Sequence, residues 1–395
     1  MTTLPQQKKS WPRWAAWGFL LLIFLVINAD VVRRPLKHTT MPTYRTASTN
    51  WWAGHDPYSL DPHSGFLYFP QAAFLFTPFN AVPDWAGDIL WRAATFGLFA
   101  YALVRLNAFF LSTNRKPAGK TFLVLSLLAV PGAFASLRNA QFDLPLAALI
   151  VLTAAEIASA RWTAATVWLC LAIALKPLAI VPMLLFGALY RKLIPRMVVG
   201  VLIVLALPFL HWNPAFVAHE YHRCYETLLW ASKGDEPKYS DLAALLSRFG
   251  YDAPELLKTS ARVLFALIYL GLGAMALRRL NRIEAAWAVG ALSADYLMLF
   301  NPRTETCSYV FLGPFVASLA FFYAHQPARK WLSFGLGFAA LGLACDAIPV
   351  VHGLTDRWFK PLLALFFLPI LIQFIFEKRS RDILSREASS LNPSS

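Results

Sequence analysis

Apolar residues occur in runs of roughly 15–22 positions along the whole chain, and short polar or basic turns separate the runs. A helix needs about 20 residues to cross the ~30 Å core of a bilayer, and fewer where neighbouring helices bury its ends. The pattern predicts an all-α polytopic integral membrane protein with about twelve transmembrane helices, in a single membrane domain over residues 1–395. The predicted helices lie near 14–29, 88–111, 119–137, 144–160, 162–175, 177–190, 197–211, 261–277, 283–300, 307–324, 331–349 and 361–376.

The charge of the turns predicts how the chain is oriented in the membrane. Counted from the amino terminus, every second connection is basic, as in NRKPAGK, RKLIPR, RRLNR and EKRSRDILSR. Cytoplasmic loops of membrane proteins carry an excess of Lys and Arg. Both termini, including a tail over residues 377–395, are therefore predicted on the cytoplasmic side.

The segment around Pro177 allows two interpretations. Residues 162–175 and 177–190 are predicted as two helices that cross the membrane in opposite directions. The alternative is one long helix with a proline kink, which would change the number of helices.

Two connections on the predicted outer face are long, at residues 30–87 and 212–260. The first contains NWWAGHDPY and GFLYFPQAAFLFTPF, and its Trp and Tyr content is typical of a membrane interface. The stretch FLYFPQAAFLFTPF is too short and too interrupted by proline to span, so it is predicted to lie along the membrane surface. Long loops with their own elements are usually functional.

Composition narrows the class of protein. The chain is 57% hydrophobic and 15% charged, whereas soluble domains are about half apolar and about a quarter charged. The formal net charge of +14 would suit a nucleic-acid-binding protein, but Lys and Arg cluster between apolar runs, so no nucleic-acid partner is expected. The first apolar run lacks a small-residue cleavage site and predicts an uncleaved helix.

The four cysteines have no close spacing of the kind that binds a metal. Cys170 is predicted inside a helix, and the other three lie on or near the outer face. A disulfide between Cys224 and Cys307 is left open, since its geometry cannot be tested from sequence.

Polar residues recur at the outer ends of the predicted helices, next to the bilayer. They are Asp30, Arg138, Gln141, Asp143, Lys176, Arg303 and Glu305. Charges beside membrane segments are by default functional, and basic residues converging with carboxylates predict a site for an anionic substrate. The alternative is that each side chain snorkels to water, or that Arg303 and Glu305 form a local ion pair in the turn NPRTE.

Four segments of the chain resemble glycosyltransferase family 87 of the GT-C superfamily, the polyprenyl-phosphate-mannose-dependent mannosyltransferase-like proteins. They are YRTASTNWWAGHDPY with GFLYFPQAAFLFTPFNAVP, then RNAQFDLPLAALIVL, LAIALKPLAIVPMLLFGALYRK and LMLFNPRTETCSYVFLGP. They occur in the family's order between about residues 40 and 315.

The resemblance implies a GT-C-like fold whose long first outer loop carries interfacial helices. It implies an enzyme in a bacterial inner membrane that takes a sugar, mannose or another hexose, from a polyprenyl-phosphate donor. The sugar would pass, with inversion, to a lipid or glycan acceptor at the outer face. The chain contains no D-x-D, so Arg and Lys would neutralise the lipid phosphate. No cofactor is expected, although a divalent metal stays open.

The resemblance also implies site residues in the first outer loop. The family's acid lies about four residues before the loop's Tyr, but Thr40 stands at that spacing before Tyr44. In the GT-C superfamily the base typically lies just beyond the first helix, where this chain has Asp30. The resemblance therefore predicts Asp30 as the catalytic base, with Asp56 as the second choice.

The remaining candidates for substrate binding flank these acids. Tyr44, Arg45 and His55 are predicted substrate contacts, and Arg303 is predicted to hold the phosphate while Glu305 orients it or contacts the acceptor. His55 in GHDPY could instead be only a turn residue.

Two other functions compete with the enzyme. A transporter or lipid flippase fits twelve helices, but such proteins usually show two related halves, which this sequence lacks. A non-catalytic assembly or anchor protein predicts that the outer charges are dispensable.

Overall fold

The computed structural model describes residues 11–35, 37, 39–58, 65–114, 118–231, 239–347, 349–355 and 357–390. Every regular element in this part of the chain is a helix, and turns and irregular segments join the helices. Asp61 in the first outer loop, residues 1–10 and residues 391–395 lie outside the described residues.

The α-helices run in chain order as follows: α1 Trp11–Arg33, α2 Met41–Ala53, α3 Pro70–Asn80, α4 Asp84–Asn114, α5 Ala118–Ala129, α6 Phe134–Arg138, α7 Asp143–Ala158, α8 Trp162–Leu175, α9 Ile180–Leu189, α10 Ile194–Ala206, α11 Pro214–Ala231, α12 Leu242–Arg248, α13 Glu255–Arg279, α14 Arg282–Phe300, α15 Gly313–Ala324, α16 Lys330–Gly342, α17 Pro349–Thr355 and α18 Phe359–Ser390. Short 3₁₀ turns extend several of them, such as Pro177–Ala179 before α9 and Thr306–Phe311 before α15.

Among the described residues, six helical segments are long and apolar enough to cross a membrane: Trp11–Arg33, Asp84–Ala108, Arg191–Leu210, Glu255–Arg279, Arg282–Phe300 and Phe359–Glu377. A bent pair, Gly119–Ala129 with Pro131–Arg138, would make a seventh, and Trp162–Leu175, Pro177–Leu189 and Gly313–Ala324 are shorter apolar helices. The protein is thus an all-helical polytopic membrane protein. The twelve predicted segments fall on helices, while the number of crossings stays a prediction.

Helix α7 lies at the centre of the molecule. Every one of its residues is buried, and it packs against α4, α8 and α14. Its sequence is Leu- and Ala-rich on all sides, which is typical of a fully enclosed helix. Helix α14, also almost entirely buried, is its main neighbour from the second half of the chain.

Ring contacts show that the chain reverses at Lys176. The rings of Trp162 and Tyr190 lie 6.1 Å apart, so the far ends of α8 and α9 meet and Lys176 is at the tip between them. Lys176 has an extended backbone (φ −149°, ψ 129°), because a residue before proline is disfavoured in the helical region. The prediction of two helices at this point is confirmed over the single kinked helix.

Helices α14 and α15 form a second hairpin with its tip at residues 301–305. The indole nitrogen of Trp287 donates to Ser318 Oγ at 2.9 Å, and the rings of Trp287 and Phe315 lie 6.1 Å apart. We call the end of the molecule that contains the tips at 176 and 301–305 the site end. The other end carries the basic turns.

Helices α2 and α3 lie in the first outer loop and pack on each other. Tyr44, Trp51, Phe76, Trp91 and Phe142 belong to a small aromatic core that joins them to the site end of the bundle. The loop is shorter than predicted, because α1 runs to Arg33 and α4 begins at Asp84. The predicted tail is likewise helical as far as Ser390.

Candidate active site

A cavity of about 360 Å³ opens at the site end, between the two hairpin tips and the first outer loop. Its wall consists of Thr40, Thr43, Tyr44, Gly65, Leu67, Tyr68, Gln141, Lys176, Pro177, Leu178, Leu228, Ala231, Asn301, Pro302, Arg303, Glu305 and Ser308. Both long loops and three inter-helix turns contribute, so residues far apart in sequence converge here. A cavity of this size with a few polar groups is typical of a small-molecule site.

Lys176 contributes one of the two cations on the wall. Its ammonium group is ion-paired with Asp143 Oδ1, and Ser308 Oγ donates to Asp143 Oδ2 at 2.7 Å. Asp143 is the first residue of α7, where the helix dipole favours a negative charge. Both carboxylate oxygens of Asp143 are therefore occupied. Lys176 has three donors, so donors remain for a ligand in the cavity.

Arg303 contributes the other cation. Its guanidinium lies over the rings of Trp230 and Tyr239, 5.7 Å and 5.1 Å from their centroids. It also donates to the carbonyl oxygen of Ala231 at 3.1 Å. Aromatic faces attract a guanidinium, so the second outer loop holds this side chain in place at the cavity edge.

Glu305 is the one carboxylate among the cavity-lining residues that the structure describes. Gln141 Nε2 donates to Glu305 Oε2 at 2.8 Å, and Cys307 Sγ donates to Gln141 Oε1 at 2.8 Å. Lys360 approaches from α18 and donates to the carbonyl oxygen of Thr306 at 2.7 Å. The turn that carries Glu305 is thus anchored on both sides.

The turn at residues 138–141 is held by three side-chain donors. Arg92 donates to Arg138 O at 2.8 Å, Thr40 to Asn139 O at 2.9 Å and the Trp91 indole to Ala140 O at 2.8 Å. Ala140 has a φ of +57°, a conformation that costs energy in a non-glycine residue. These bonds aim Gln141 at the cavity.

Two tyrosines line the inner wall. The hydroxyl groups of Tyr44 and Tyr68 lie 3.2 Å apart. Burial raises the pKa of Tyr68, and the negative charges of Asp143 and Glu305 raise it further. Both phenols therefore stay protonated. One of them donates to the other, which leaves one O–H for a polar ligand.

Five of the predicted site residues lie on the cavity wall: Tyr44, Gln141, Lys176, Arg303 and Glu305. Asp143 lies directly behind it, bonded to Lys176. Glu305 bonds to Gln141, and Arg303 bonds to Ala231 and stacks on the second loop. Glu305 therefore bonds to a residue from another turn, an arrangement that differs from the local Arg303–Glu305 ion pair that the sequence also allowed.

The two predicted bases are not among the cavity-lining residues. Asp30 Oδ2 is 2.9 Å from Arg138 Nε, and this pair fastens α1 to the turn after α6. Asp56 accepts the backbone N–H of Tyr58 at 2.7 Å and pairs with Arg223 at 2.9 Å. Each carboxylate is satisfied where it lies, so catalysis by Asp30 or Asp56 stays a prediction that this geometry does not favour.

Arg45 and His55 also lie away from the cavity wall. Arg45 forms ion pairs with Asp84 and Asp88. The backbone N–H of His55 donates to Asn50 O at 2.9 Å, just after Gly54 ends α2 in a left-handed conformation. His55 therefore lies in the turn that ends α2, which agrees with the alternative that it is a turn residue.

Sequence reasoning missed several wall residues, among them Thr40, Thr43, Tyr68, Asn301 and Ser308. Tyr68 could have been found from the GFLYFP segment that carries the family resemblance. Ser308 and Lys360 gave no signal, because their partners come from other helices.

The Cys224–Cys307 disulfide, which the sequence left open, does not form in the structure. All four cysteines are free and buried. Cys307 contacts Gln141, whereas Cys224 lies 3.6 Å from the carbonyl oxygen of Tyr68. The described residues contain no group of three or more His, Cys, Asp or Glu that could hold a metal ion.

The cavity wall combines two cations with apolar side chains. Lys176 and Arg303 supply positive charge, and Leu67, Leu178 and Leu228 supply apolar surface. Such a wall can hold a phosphate joined to a hydrocarbon chain.

Comparison with known families gives one match. The model of glycosyltransferase family 87 matches residues 66–302, more than half of the chain. No curated protein matches the sequence. The matched range includes Tyr68, Gln141 and Lys176, and it ends immediately before Arg303.

Proposed function

Because this chain belongs to glycosyltransferase family 87 and is a membrane glycosyltransferase, we propose that it transfers a sugar from a polyprenyl-phosphate donor to a lipid or glycan acceptor. The sugar is mannose or another hexose. The reaction takes place in the cavity between Lys176 and Arg303. Both termini lie in the cytoplasm of a bacterial cell, and the cavity faces outward from the inner membrane.

The observation that carries the proposal is the position of the two cations on one cavity wall. Lys176 and Arg303 come from different hairpin tips, and both line the same space next to leucine side chains. A lipid monophosphate carries its charge beside its hydrocarbon chain, so it matches this wall. Arg and Lys can neutralise such a phosphate without a metal.

In the proposed reaction the acceptor hydroxyl displaces the lipid phosphate from the anomeric carbon, with inversion. Negative charge develops on the phosphate oxygen as the bond breaks. Lys176 and Arg303 are held in place before the reaction and stabilise that charge as it develops. One hydroxyl of the Tyr44–Tyr68 pair donates to a hydroxyl group of the sugar.

The orientation of the chain is supported by the distribution of charge. At the end opposite the cavity the turns contain Arg161, Arg191, Lys192, Arg282 and Arg329. An excess of basic residues marks the cytoplasmic side, so the cavity lies on the outer side. A polyprenyl-phosphate sugar that is exposed in the outer leaflet could then enter from the bilayer.

The test uses membranes that contain the protein and polyprenyl-phosphate-[³H]mannose. We expect label to move into an acceptor lipid or glycan and polyprenyl phosphate to be released. The Arg303→Ala variant at matched protein level should lose this transfer. Movement of intact donor across the membrane with no consumption would contradict the proposal and support a flippase instead.

A further inference from the structure

The transfer reaction needs a group that removes the proton of the acceptor hydroxyl. Such a base must come within about 2.6–3.2 Å of that hydroxyl, directly or through one water. Among the described residues, the carboxylates that the sequence placed at the site end as candidates are those of Asp30, Asp56, Asp143 and Glu305. Two properties separate them: whether the residue lines the cavity, and whether one of its carboxylate oxygens accepts no hydrogen bond.

Asp143 is close to the cavity but has no free oxygen. Lys176 occupies its Oδ1 and Ser308 its Oδ2. Its side chain is 1% exposed. It can orient Lys176, but an acceptor hydroxyl cannot reach it.

Asp30 and Asp56 face other surroundings. Asp30 is paired with Arg138 and also lies 4.0 Å from Arg34. Asp56 is paired with Arg223 in the second outer loop. Neither belongs to the cavity wall, and moving either into it would break an ion pair.

Glu305 has the required arrangement. The hydrogen bond from Gln141 goes to Oε2 of its carboxylate, and Cys307 Sγ, whose proton bonds to Gln141, lies 3.4 Å from the same oxygen. Within the described part of the chain, Oε1 accepts no hydrogen bond. The residue lines the cavity that Lys176 also lines, so its second oxygen remains for a ligand.

The backbone that carries Glu305 is held by a buried ion pair. Lys360 is 2% exposed, and its ammonium lies 2.8 Å from Asp346 while it donates to Thr306 O. A charge fixed in this way is expensive to bury, and it fixes the turn next to Glu305. Lys360 is thus a positioning residue.

We propose that Glu305 is the general base of the transfer, an inference that rests on the proposed function. Glu305 Oε1 takes the proton of the acceptor hydroxyl, and the hydroxyl oxygen forms the new bond to the anomeric carbon. The bond from that carbon to the phosphate oxygen breaks. Its electron pair leaves with the lipid phosphate, which Lys176 and Arg303 hold. Gln141 keeps the carboxylate in place through Oε2.

The test uses the full chain reconstituted in proteoliposomes that contain host membrane lipids, with polyprenyl-phosphate-[³H]mannose as the donor. Glu305→Gln keeps the size of the side chain and an oxygen that can accept from Gln141, so the fold should be retained. We expect kcat for transfer to fall by about 100-fold or more, with the donor KM within about threefold of wild type. Glu255→Gln at matched protein level is the control, because Glu255 is exposed and pairs with Lys258 outside the cavity wall, and it should transfer at a rate close to wild type. Asp30→Asn is measured beside it as the test of the competing base.

Azide separates a base from a merely structural residue. Azide ion attacks the anomeric carbon without losing a proton, so its reaction needs no base. With azide present, we expect Glu305→Gln to form mannosyl azide at a rate close to that of the wild type.

Four results would overturn the assignment, and they differ in what else they affect. Normal transfer by Glu305→Gln removes the base assignment alone. Loss of both transfer and azide product makes Glu305 structural. Loss in Asp30→Asn with retention in Glu305→Gln makes Asp30 the base. A wild type that binds the donor but consumes none of it removes the proposed function, and the base assignment falls with it.

Discussion

Helix α7 carries a buried carboxylate at each end, and the two ends are built differently. Asp143 at the site end bonds to Lys176 and Ser308 beside the cavity. Glu156 at the other end is paired with Arg105 at 2.5 Å and Arg161 at 2.6 Å. Glu156, Arg105 and Arg161 do not line the site cavity.

The difference shows what distinguishes a functional charge from a structural one in this molecule. Each carboxylate is almost fully buried, at 1% and 4% exposure of the side chain. Glu156 forms ion pairs with both Arg105 and Arg161, and these pairs join α4, α7 and the turn before α8. Asp143 is ion-paired with Lys176, and Lys176 also lines the cavity. Burial and pairing alone do not identify a site, whereas an adjoining space does.

Replacing the cavity cation should have the strongest consequence for activity. We expect Lys176→Met to lower the rate of sugar transfer by about 100- to 1,000-fold, because the charge that develops on the phosphate loses its stabilisation. Arg105→Met at the other end of α7 is the matched control, since Glu156 keeps Arg161 as a partner. Initial rates in proteoliposomes with equal amounts of folded protein give the comparison. Equal losses in the two variants would contradict the distinction between the ends.

Changing the shape of the second cation should have a smaller effect. Arg303→Lys keeps the charge but loses the planar group that lies over Trp230 and Tyr239. We expect transfer to fall by about tenfold, since about 1.4 kcal/mol of positioning is lost. Arg45→Lys is the control, because Arg45 pairs with acids away from the cavity. A rate for Arg303→Lys equal to that of the control would show that the stacking has no role.

The opposite end of α7 should respond in stability and not in chemistry. Glu156→Gln leaves Arg105 and Arg161 without a counter-charge, and we expect the free energy of unfolding to fall by about 2 kcal/mol. Thermal unfolding in detergent measures this as a lower midpoint. Activity per folded molecule should stay unchanged below that midpoint. A variant that is fully stable but inactive would contradict the structural role.

A third acidic cluster predicts a mild dependence of stability on pH. Glu220 in α11 is 1% exposed, and burial together with the charge of Asp56 raises its pKa to about 7 from a usual value of 4.5. Because the folded-state pKa is raised, the native state binds the proton more tightly. The stabilisation is complete below about pH 4.5 and is lost as the pH rises through about 7.

The measurement is the unfolding midpoint at pH 5 and at pH 8. We expect the wild type to lose about 2 °C more than Glu220→Gln over this interval. The variant cannot titrate at this position, so the contribution of Glu220 is absent. Identical pH dependence in the two proteins would show that Glu220 is not the group responsible.

The helices and the hairpin tips were predictable because their signals are local. Apolar runs located the membrane segments, and Lys-Pro in LKP placed Lys176 where the helix must end. Gln141, Arg303 and Glu305 were found as polar residues at helix ends. Alternation of the basic turns then brought these residues to one end of the molecule.

The identity of the base was not predictable in this way. Their positions in the sequence place Asp30 and Asp56 near the site end. The sequence does not show that Asp30 is ion-paired with Arg138, or Asp56 with Arg223. Those partners lie 108 and 167 residues away in sequence. Which carboxylate keeps a free oxygen toward the cavity depends on such distant contacts.

The most direct test of the account is a structure of the protein in a lipid nanodisc with a non-transferable C-glycoside analogue of polyprenyl-phosphate mannose. The account predicts the phosphate between Lys176 and Arg303, with the sugar facing Glu305 and the polyprenyl chain leaving past the leucines of the wall. Phosphate density at the other end of α7, near Arg105 and Arg161, would contradict it. So would a donor seated beside Asp56 with the cavity filled only by water.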